Sequence, residues 1–288
     1  MSKYYMIADI HGMCGGVFSA LRKLDETIAG ADGKTVFVLH ELVHNTAVTA
    51  EYEARNVCFT DDINAIPGGA IAVIGAHGVD MQTEALLRSR AATVVDATCP
   101  LVKKLHDIAA SLEDDRELVI FGKSGHPEVT GVAGNSRAGK TFIVASDSDI
   151  AALPELKRPY FISQTTVDAA RSDTALNLLK ERFPQLEYSA GVCDASFKRQ
   201  NAVIALAKRC PVVIVAGSAH SSNACRLQEI AAEHGAKSFR VDSHEEIPGE
   251  ILEKAPLIGI TSGASTPTRA VDAIIRCLTE HGFVPAQD

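Results

Sequence analysis

Residues 93–113 read TVVDATCPLVKKLHDIAASLE. TVVDA is rich in residues that suit a strand. After Cys99, a proline opens LVKKLHDIAASLE, where apolar residues recur at three- and four-residue intervals. Proline fits the first turn of a helix. The stretch therefore predicts strand, cysteine, helix, with the thiol at the carboxyl end of the strand.

The same order occurs twice more. Cys14 follows YYMIAD and precedes GGVFSALRKL, and Cys193 follows LEYSAGV and precedes DASFKRQNAVIAL. Cys99 lies 85 residues after Cys14, Cys193 lies 94 after Cys99, and 95 residues follow Cys193. Other features keep step. The next strand-like run of each third ends in a polar cluster: HELVHN (40–45), GHPE (125–128) and HSSN (220–223). The run after that ends in small or polar residues: AHG around His77, QTT (164–166) and SGAS (262–265). Functional residue types that repeat in one order and one phase mark an internal repeat.

Ten β-rich runs, from YYMIAD to LIGITSG, alternate with amphipathic patterns such as TEALLRSRAA, DTALNLLKERF and RAVDAIIRCLTEHG. This alternation predicts an α/β protein of parallel sheets with flanking helices. The expected architecture is trefoil-like, three α/β units related by a pseudo-threefold axis around a central metal centre. The units are residues 15–98, joined by the strand and cysteine of 1–14, then 99–192, then 193–288 with the C-terminal helix and tail. Ligand-binding groups in such folds collect at the carboxyl ends of the strands, where all nine clusters fall.

Composition narrows the class. The 288 residues are 46% apolar and 22% charged, with a net charge of −8. Apolar content is ample for packed cores. An acidic chain without a basic block is not expected to bind nucleic acid or an anionic membrane. No apolar run reaches the roughly 20 residues that cross a bilayer, and MSKYYMIADI lacks the features of a secretory leader. The expected location is cytoplasmic. Seven cysteines in a reducing compartment point to metal ligation or thiol chemistry rather than a disulfide scaffold.

Three thiols in register, Cys14, Cys99 and Cys193, suggest a metal centre with an open position. A catalytic zinc site takes three protein ligands plus water, and an iron–sulfur cubane, which normally takes four cysteines, would with three keep one iron free for substrate. Cys58, Cys210, Cys225 and Cys277 fall outside the register and are read as packing residues, with Cys225 close to HSSN. HELVH matches the zinc-protease pattern HExxH, which works only on a helix. Here it directly follows the strand-like TVFVL. His44, His77, His126, Thr165, Ser221, Ser222, Asn223 and Ser265 are neutral donors, and HSSN, SGAS and GHPE precede helical patterns. Imidazoles, hydroxyls and helix N-termini together suit an anion, best a phosphate. The Ser, Thr and Asn residues also suit helix capping. Glu128 and Glu41 are the carboxylates of these clusters. Among His and hydroxyl groups Glu128 suits proton relay, and on a surface it would be an ordinary first-turn glutamate.

Together, GMCGGV, HELVHN, GAHGV, DATCPLV, GHPEV, SQTT, the Cys193 segment with Arg199 and Gln200, SSN, Arg226–Leu227 and SGAS closely resemble the 4-hydroxy-3-methylbut-2-enyl diphosphate reductases, the IspH/LytB family. The resemblance runs along nearly the whole chain. It implies one 4Fe-4S cluster held by Cys14, Cys99 and Cys193, with the fourth iron open to substrate. It implies an allylic diphosphate substrate reduced to isopentenyl and dimethylallyl diphosphate, the last step of the methylerythritol phosphate route to isoprenoids. It places His44, His77, His126, Thr166, Ser221, Ser222, Asn223 and Ser265 on the substrate. Glu128 becomes the proton-delivering acid and Thr165 the residue that orients it. Electrons come from a ferredoxin- or flavodoxin-like donor.

The chain departs from the family pattern in three places. ADIHGMC replaces N-P-R-G-F-C, ASFKRQ replaces A-T-x-x-R-Q, and GSAHSSN replaces G-S-K-N-S-S-N, so Ala219 stands where the family has lysine. No matched ligand is lost. The alternative reading is a divergent cluster-binding paralogue with a redox-sensing role or an altered substrate.

Overall fold

A computed structural model describes residues 2–189 and 191–287. The first third contributes β1 (Lys3–Ile7), α1 (Gly15–Ala29), β2 (Val36–Leu39), α2 (Thr46–Glu53), β3 (Val57–Thr60), β4 (Ile71–Ile74), α3 (Met81–Arg90) and β5 (Thr93–Asp96). The second contributes α4 (Pro100–Ser111), β6 (Glu117–Phe121), α5 (Pro127–Asn135), β7 (Lys140–Val144), α6 (Asp147–Ala151), β8 (Pro159–Ser163), α7 (Ala169–Arg182) and β9 (Glu187–Tyr188). The last contributes α8 (Asp194–Arg209), β10 (Val212–Ala216), α9 (Ser222–Glu233), β11 (Lys237–Val241), α10 (Gly249–Lys254), β12 (Leu257–Ser262), α11 (Thr268–Glu280) and β13 (Phe283–Pro285).

The strands form three sheets, and every described pairing is parallel. Their orders are β3-β2-β4-β5, β7-β6-β8-β9 and β11-β10-β12-β1-β13. Three parallel-sheet α/β units with flanking helices are thus present, as the alternating pattern predicts. Strand β10, VVIVA, shows why the sheets hold. Val212, Ile214 and Ala216 pack into one apolar cluster and Val213 and Val215 into another, because strand side chains alternate faces. Burying each large aliphatic group stabilises by about 1.5–3 kcal/mol. Strand β6 divides Leu118 and Ile120 from Val119 and Phe121 in the same way.

One strand is grouped differently from the sequence reading. β1 was expected beside the first third, but it lies in the sheet of the last third, between β12 and β13. Tyr4 pairs with Leu257 and Lys3 with Phe283. Tyr5 enters the apolar cluster of that sheet, and Lys3 Nζ donates to the Leu252 carbonyl at 2.8 Å. These contacts give β1 partners on both sides there.

The chain divides into two compact units. One holds residues up to Gly15, His44–Val48 and residues from Asp194 on, with the five-stranded sheet. The other holds Gly16–Val43 and Thr49–Cys193, with both four-stranded sheets. Among the described residues no helix is long and apolar enough to cross a membrane.

Candidate active site

HELVHN is not helical. His40 takes a left-handed backbone conformation (φ 63°) just after β2, and Glu41 to Asn45 continue as loop. Two histidines one helical turn apart are therefore absent here, and the zinc-protease reading fails. Among the described residues no three His, Cys, Asp or Glu side chains converge closely enough to hold a single metal ion.

In the larger unit, the residues picked from the sequence are tied by a continuous run of contacts. Cys99 donates its N–H to the Ala76 carbonyl at 2.9 Å, which fixes the thiol beside the His77 loop. Cys99 is the N-cap of α4, with Pro100 in the first turn, and its side chain makes no capping bond. A serine or aspartate would cap there, so a thiol at this position forgoes local stabilisation. The His77 and His126 rings meet edge to face, with centroids 5.6 Å apart. His126 caps α5, its Nδ1 accepting the Glu128 N–H at 3.2 Å. Glu128, 2% exposed, accepts the Thr165 N–H on Oε1 at 2.6 Å and the Thr165 hydroxyl on Oε2 at 2.8 Å. The Thr165 carbonyl accepts the Cys193 N–H at 3.1 Å.

Burial dominates the ionisation of Glu128. It pushes the carboxyl up to about 7, although both Thr165 hydrogen bonds favour the anion and pull the other way. An acid poised near neutrality can both hold and release a proton. Beside it, Gln164 is buried. Its Oε1 accepts the Lys123 N–H at 3.1 Å and its Nε2 donates to Thr166 Oγ1 at 2.9 Å.

Close backbone approach sets this geometry. Gly78 follows His77 with φ +67°, and a Cβ there would come within 2.5 Å of His106 Cε1. Gly131 on α5 faces the same ring, so a Cβ would lie 3.0 Å from His106 Nε2. His106 is buried on α4, its Nδ1 is 3.3 Å from Asn135 Nδ2, and burial lowers its pKa. Sequence reasoning passed over it, because a lone histidine on the apolar face of LVKKLHDIAAS carries no signal. Asp96, at the end of β5, was likewise missed. Burial raises its pKa, but bonds from the Thr98 N–H and hydroxyl, with nearby Lys103, outweigh that and hold it below the carboxylate range.

In the smaller unit a second group of these residues is linked. The Ala264 carbonyl accepts the Cys14 N–H at 2.9 Å, and Ser262 Oγ accepts the Gly12 N–H at 2.7 Å. Arg199, 3% exposed, donates to the Gly12 carbonyl at 2.7 Å, a role that the RQ motif did not disclose. Asn223 Oδ1 accepts the Ala264 N–H at 3.0 Å and its Nδ2 donates to Ser196 Oγ at 3.4 Å. Ser265 donates to the His44 carbonyl at 3.0 Å. Ser221 caps α9, so the capping role open to these hydroxyls is realised there, and Ser222 is the first residue of that helix.

None of the seven cysteines forms a disulfide. Cys14, Cys99 and Cys193 are each partly exposed, whereas Cys210 and Cys277 are buried and burial raises both thiols, Cys210 to about 11. Cys58, expected as a packing residue, is exposed instead, because it faces away from buried Val57 on the edge strand β3. Cys225 Sγ lies 3.3 Å from the Ala219 carbonyl, in the loop before α9.

Residues 6–279 match the LytB protein family.

The chain belongs to the LytB family.

It is 36% identical over 291 residues to the 4-hydroxy-3-methylbut-2-enyl diphosphate reductase of Leifsonia xyli, covering 99% of this chain and 86% of that one. The reductase of the same name from Methylococcus capsulatus is 35% identical over 285 residues, covering 96% and 90%. Among solved structures, the E-1-hydroxy-2-methyl-but-2-enyl-4-diphosphate reductase of Plasmodium falciparum superposes with a TM-score of 0.92 at 26% identity, covering 100% of this chain and 94% of that one. A second, described as the terminal enzyme of the non-mevalonate pathway, gives 0.69 at 27% identity, covering 97% and 100%.

Proposed function

We propose that this LytB-family chain is a 4-hydroxy-3-methylbut-2-enyl diphosphate reductase. In this reaction the allylic C–O bond breaks, two electrons and two protons are taken up, and the oxygen leaves as water. Isopentenyl or dimethylallyl diphosphate remains. The observation that carries the reading is Glu128, a buried carboxyl whose ionisation is raised to about 7 and whose two oxygens are both held by Thr165.

The donor chemistry suits an iron–sulfur cluster. Cys14, Cys99 and Cys193 are soft ligands, partly exposed, outside disulfides and at matching positions in the repeat 15–98, 99–192 and 193–288. These three would hold one 4Fe-4S cluster, which when bound supplies the electrons and an iron open to the substrate hydroxyl. The chain itself supplies the rest. Glu128, poised near neutrality, gives a proton to the departing hydroxyl, because hydroxide leaves poorly and water leaves well. Thr165 aims that carboxyl. His44, His77, His126, Thr166, Ser221, Ser222, Asn223 and Ser265 grip the diphosphate with hydrogen-bond donors and helix ends. A ferredoxin- or flavodoxin-like carrier brings the electrons.

The test is turnover of 4-hydroxy-3-methylbut-2-enyl diphosphate by anaerobically reconstituted protein, with dithionite-reduced methyl viologen as electron source. Both alkenyl diphosphates should appear by nuclear magnetic resonance. Reconstituted protein with a full cluster and no product would defeat the proposal and favour the divergent cluster-binding paralogue.

A further inference from the structure

The larger unit presents a face that the proposed reaction does not itself use. Helix α1 begins directly after Cys14 and helix α4 directly after Cys99. Each carries a large exposed apolar side chain in its first turn, Phe18 at 64% and Leu101 at 45%. Each also carries an exposed basic residue on the same stripe, Arg22 four residues after Phe18 and Lys104 three after Leu101. Residues 15–24 hold Arg22 and Lys23 with no carboxylate, and residues 100–106 hold Lys103 and Lys104 with none, in a chain of net charge −8.

The two helices bring these charges together. Lys23 Nζ donates to the Asp96 carbonyl at 2.6 Å, and Lys103 Nζ lies 3.5 Å from Asp96 Oδ2. Lys23 of α1 and Lys103 of α4 therefore meet at Asp96, at the end of β5. Arg22 is paired with Glu26 at 3.2 Å, but both are largely exposed and such pairs are weak. In the smaller unit, α8 carries Phe197, 48% exposed, four residues after Cys193, the offset that separates Phe18 from Cys14.

We infer that the α1/α4 face docks an acidic electron-carrier protein. This rests on the reductase reading, because only a cluster held by Cys14 and Cys99 gives a carrier reason to seat beside them. Exposed apolar side chains beside basic residues suit a brief encounter, in which charge guides the approach and a small apolar contact holds it. The partner's complement is a ring of carboxylates around an apolar centre. Each encounter passes one electron and oxidises one reduced carrier. Two such transfers, with two protons, match the removal of one hydroxyl as water.

The experiment uses the reconstituted holoenzyme and a reduced acidic plant-type ferredoxin. The double variant Arg22→Glu/Lys104→Glu is compared with Lys140→Glu/Lys157→Glu, which makes the same charge change at exposed positions elsewhere on the unit. The first should lower ferredoxin-driven kcat/KM about tenfold and flatten its decline with salt. The second should leave both unchanged, and viologen-driven turnover should be the same in all three proteins. Equal ferredoxin rates in the two double variants, or a wild-type rate that rises with salt, would overturn the docking face. Absence of viologen-driven turnover in wild type would instead remove the reductase reading. Calorimetric titration with oxidised ferredoxin then still reports on the face, and binding retained by Arg22→Glu/Lys104→Glu overturns it.

Discussion

Glu128 and Thr165 are joined at both carboxylate oxygens, and the carbonyl of the same threonine takes the Cys193 N–H. The acid is thus positioned from the residue that also anchors the backbone of a cysteine. Its proton is retained by burial and moderated by Thr165. In the proposed reaction, turnover would then depend on two adjustable quantities, where the carboxyl points and how tightly it keeps its proton.

Replacing the acid tests the proton role. Glu128→Gln keeps the shape and one oxygen to accept the Thr165 N–H, its amide donates to the Thr165 hydroxyl instead of accepting from it, and it has no acidic proton. Iron content and substrate binding should persist while kcat falls by about 10² or more. Wild-type kcat should decline as pH rises through about 7, where Glu128 ionises. Near-normal kcat in Glu128→Gln would falsify the assignment.

The aiming residue has its own signature. The Thr165 hydroxyl bond favours ionised Glu128, so its loss raises the carboxyl further. Thr165→Val should lower kcat and move the alkaline limb of the pH profile upward, and Thr165→Ser should restore both. An unmoved limb in Thr165→Val, measured with iron content matched, would mean that the bond does not set the ionisation.

Glu128 also makes stability depend on pH. Folded Glu128 keeps its proton up to about 7, against 4.5 when unfolded. The folded chain binds the extra proton between those values, so the stabilisation is complete below the lower one and lost as pH rises through the upper one. Relative to wild type, Glu128→Gln should gain stability between pH 4.5 and 8, on the order of 3 kcal/mol. Urea unfolding of the cluster-free proteins at both ends of the range checks this, and parallel curves would contradict it.

The proposed cluster ligation and helix capping are separable at Cys99. Cys99→Ser should lose iron, yet the serine can cap α4 where the thiol does not. The cluster-free variant should melt no lower than wild type, with a gain of up to about 1 kcal/mol. Cys14→Ser and Cys193→Ser should also lose iron, and Cys58→Ser and Cys277→Ser should keep it. Full iron in Cys99→Ser, by metal analysis, would remove it from the ligand set.

The His77 loop is vulnerable from behind. Gly78→Ala places a Cβ against His106 in a left-handed backbone conformation. A loss of about 2 kcal/mol or more is expected. Adding His106→Ala should recover only part of it, because the backbone cost remains, and full recovery in a double-mutant cycle would show that the clash alone mattered.

The strand–cysteine–helix order made the sheets and the cysteine positions legible, because periodicity and turn chemistry are local. What escaped was tertiary. Strands β9 and β13 are two and three residues, too short for an alternating pattern to register. The helix-weakening glycines of α5, Gly131 and Gly134, have their reason only in the His106 and Asp80 side chains packed against them. Glu128 was legible as a residue, but its raised ionisation comes from burial that no spacing reports. Asn223 and Ser221 were read as ligand donors or caps. In the structure Ser221 caps α9, and Asn223 bridges α8 to the SGAS loop.

The placement of β1 between β12 and β13 bears on the order of biosynthesis. The loop carrying Cys14 is fixed by Ser262 and Ala264, residues made some 250 positions later. The larger unit, which ends at Cys193, can compact while the ribosome is still extending the chain. Cys14 cannot, because its supporting backbone does not yet exist. Loading of the proposed cluster would therefore follow translation past β12, and a stalled or truncated chain would present two of the three thiols on a folded unit with the third unanchored.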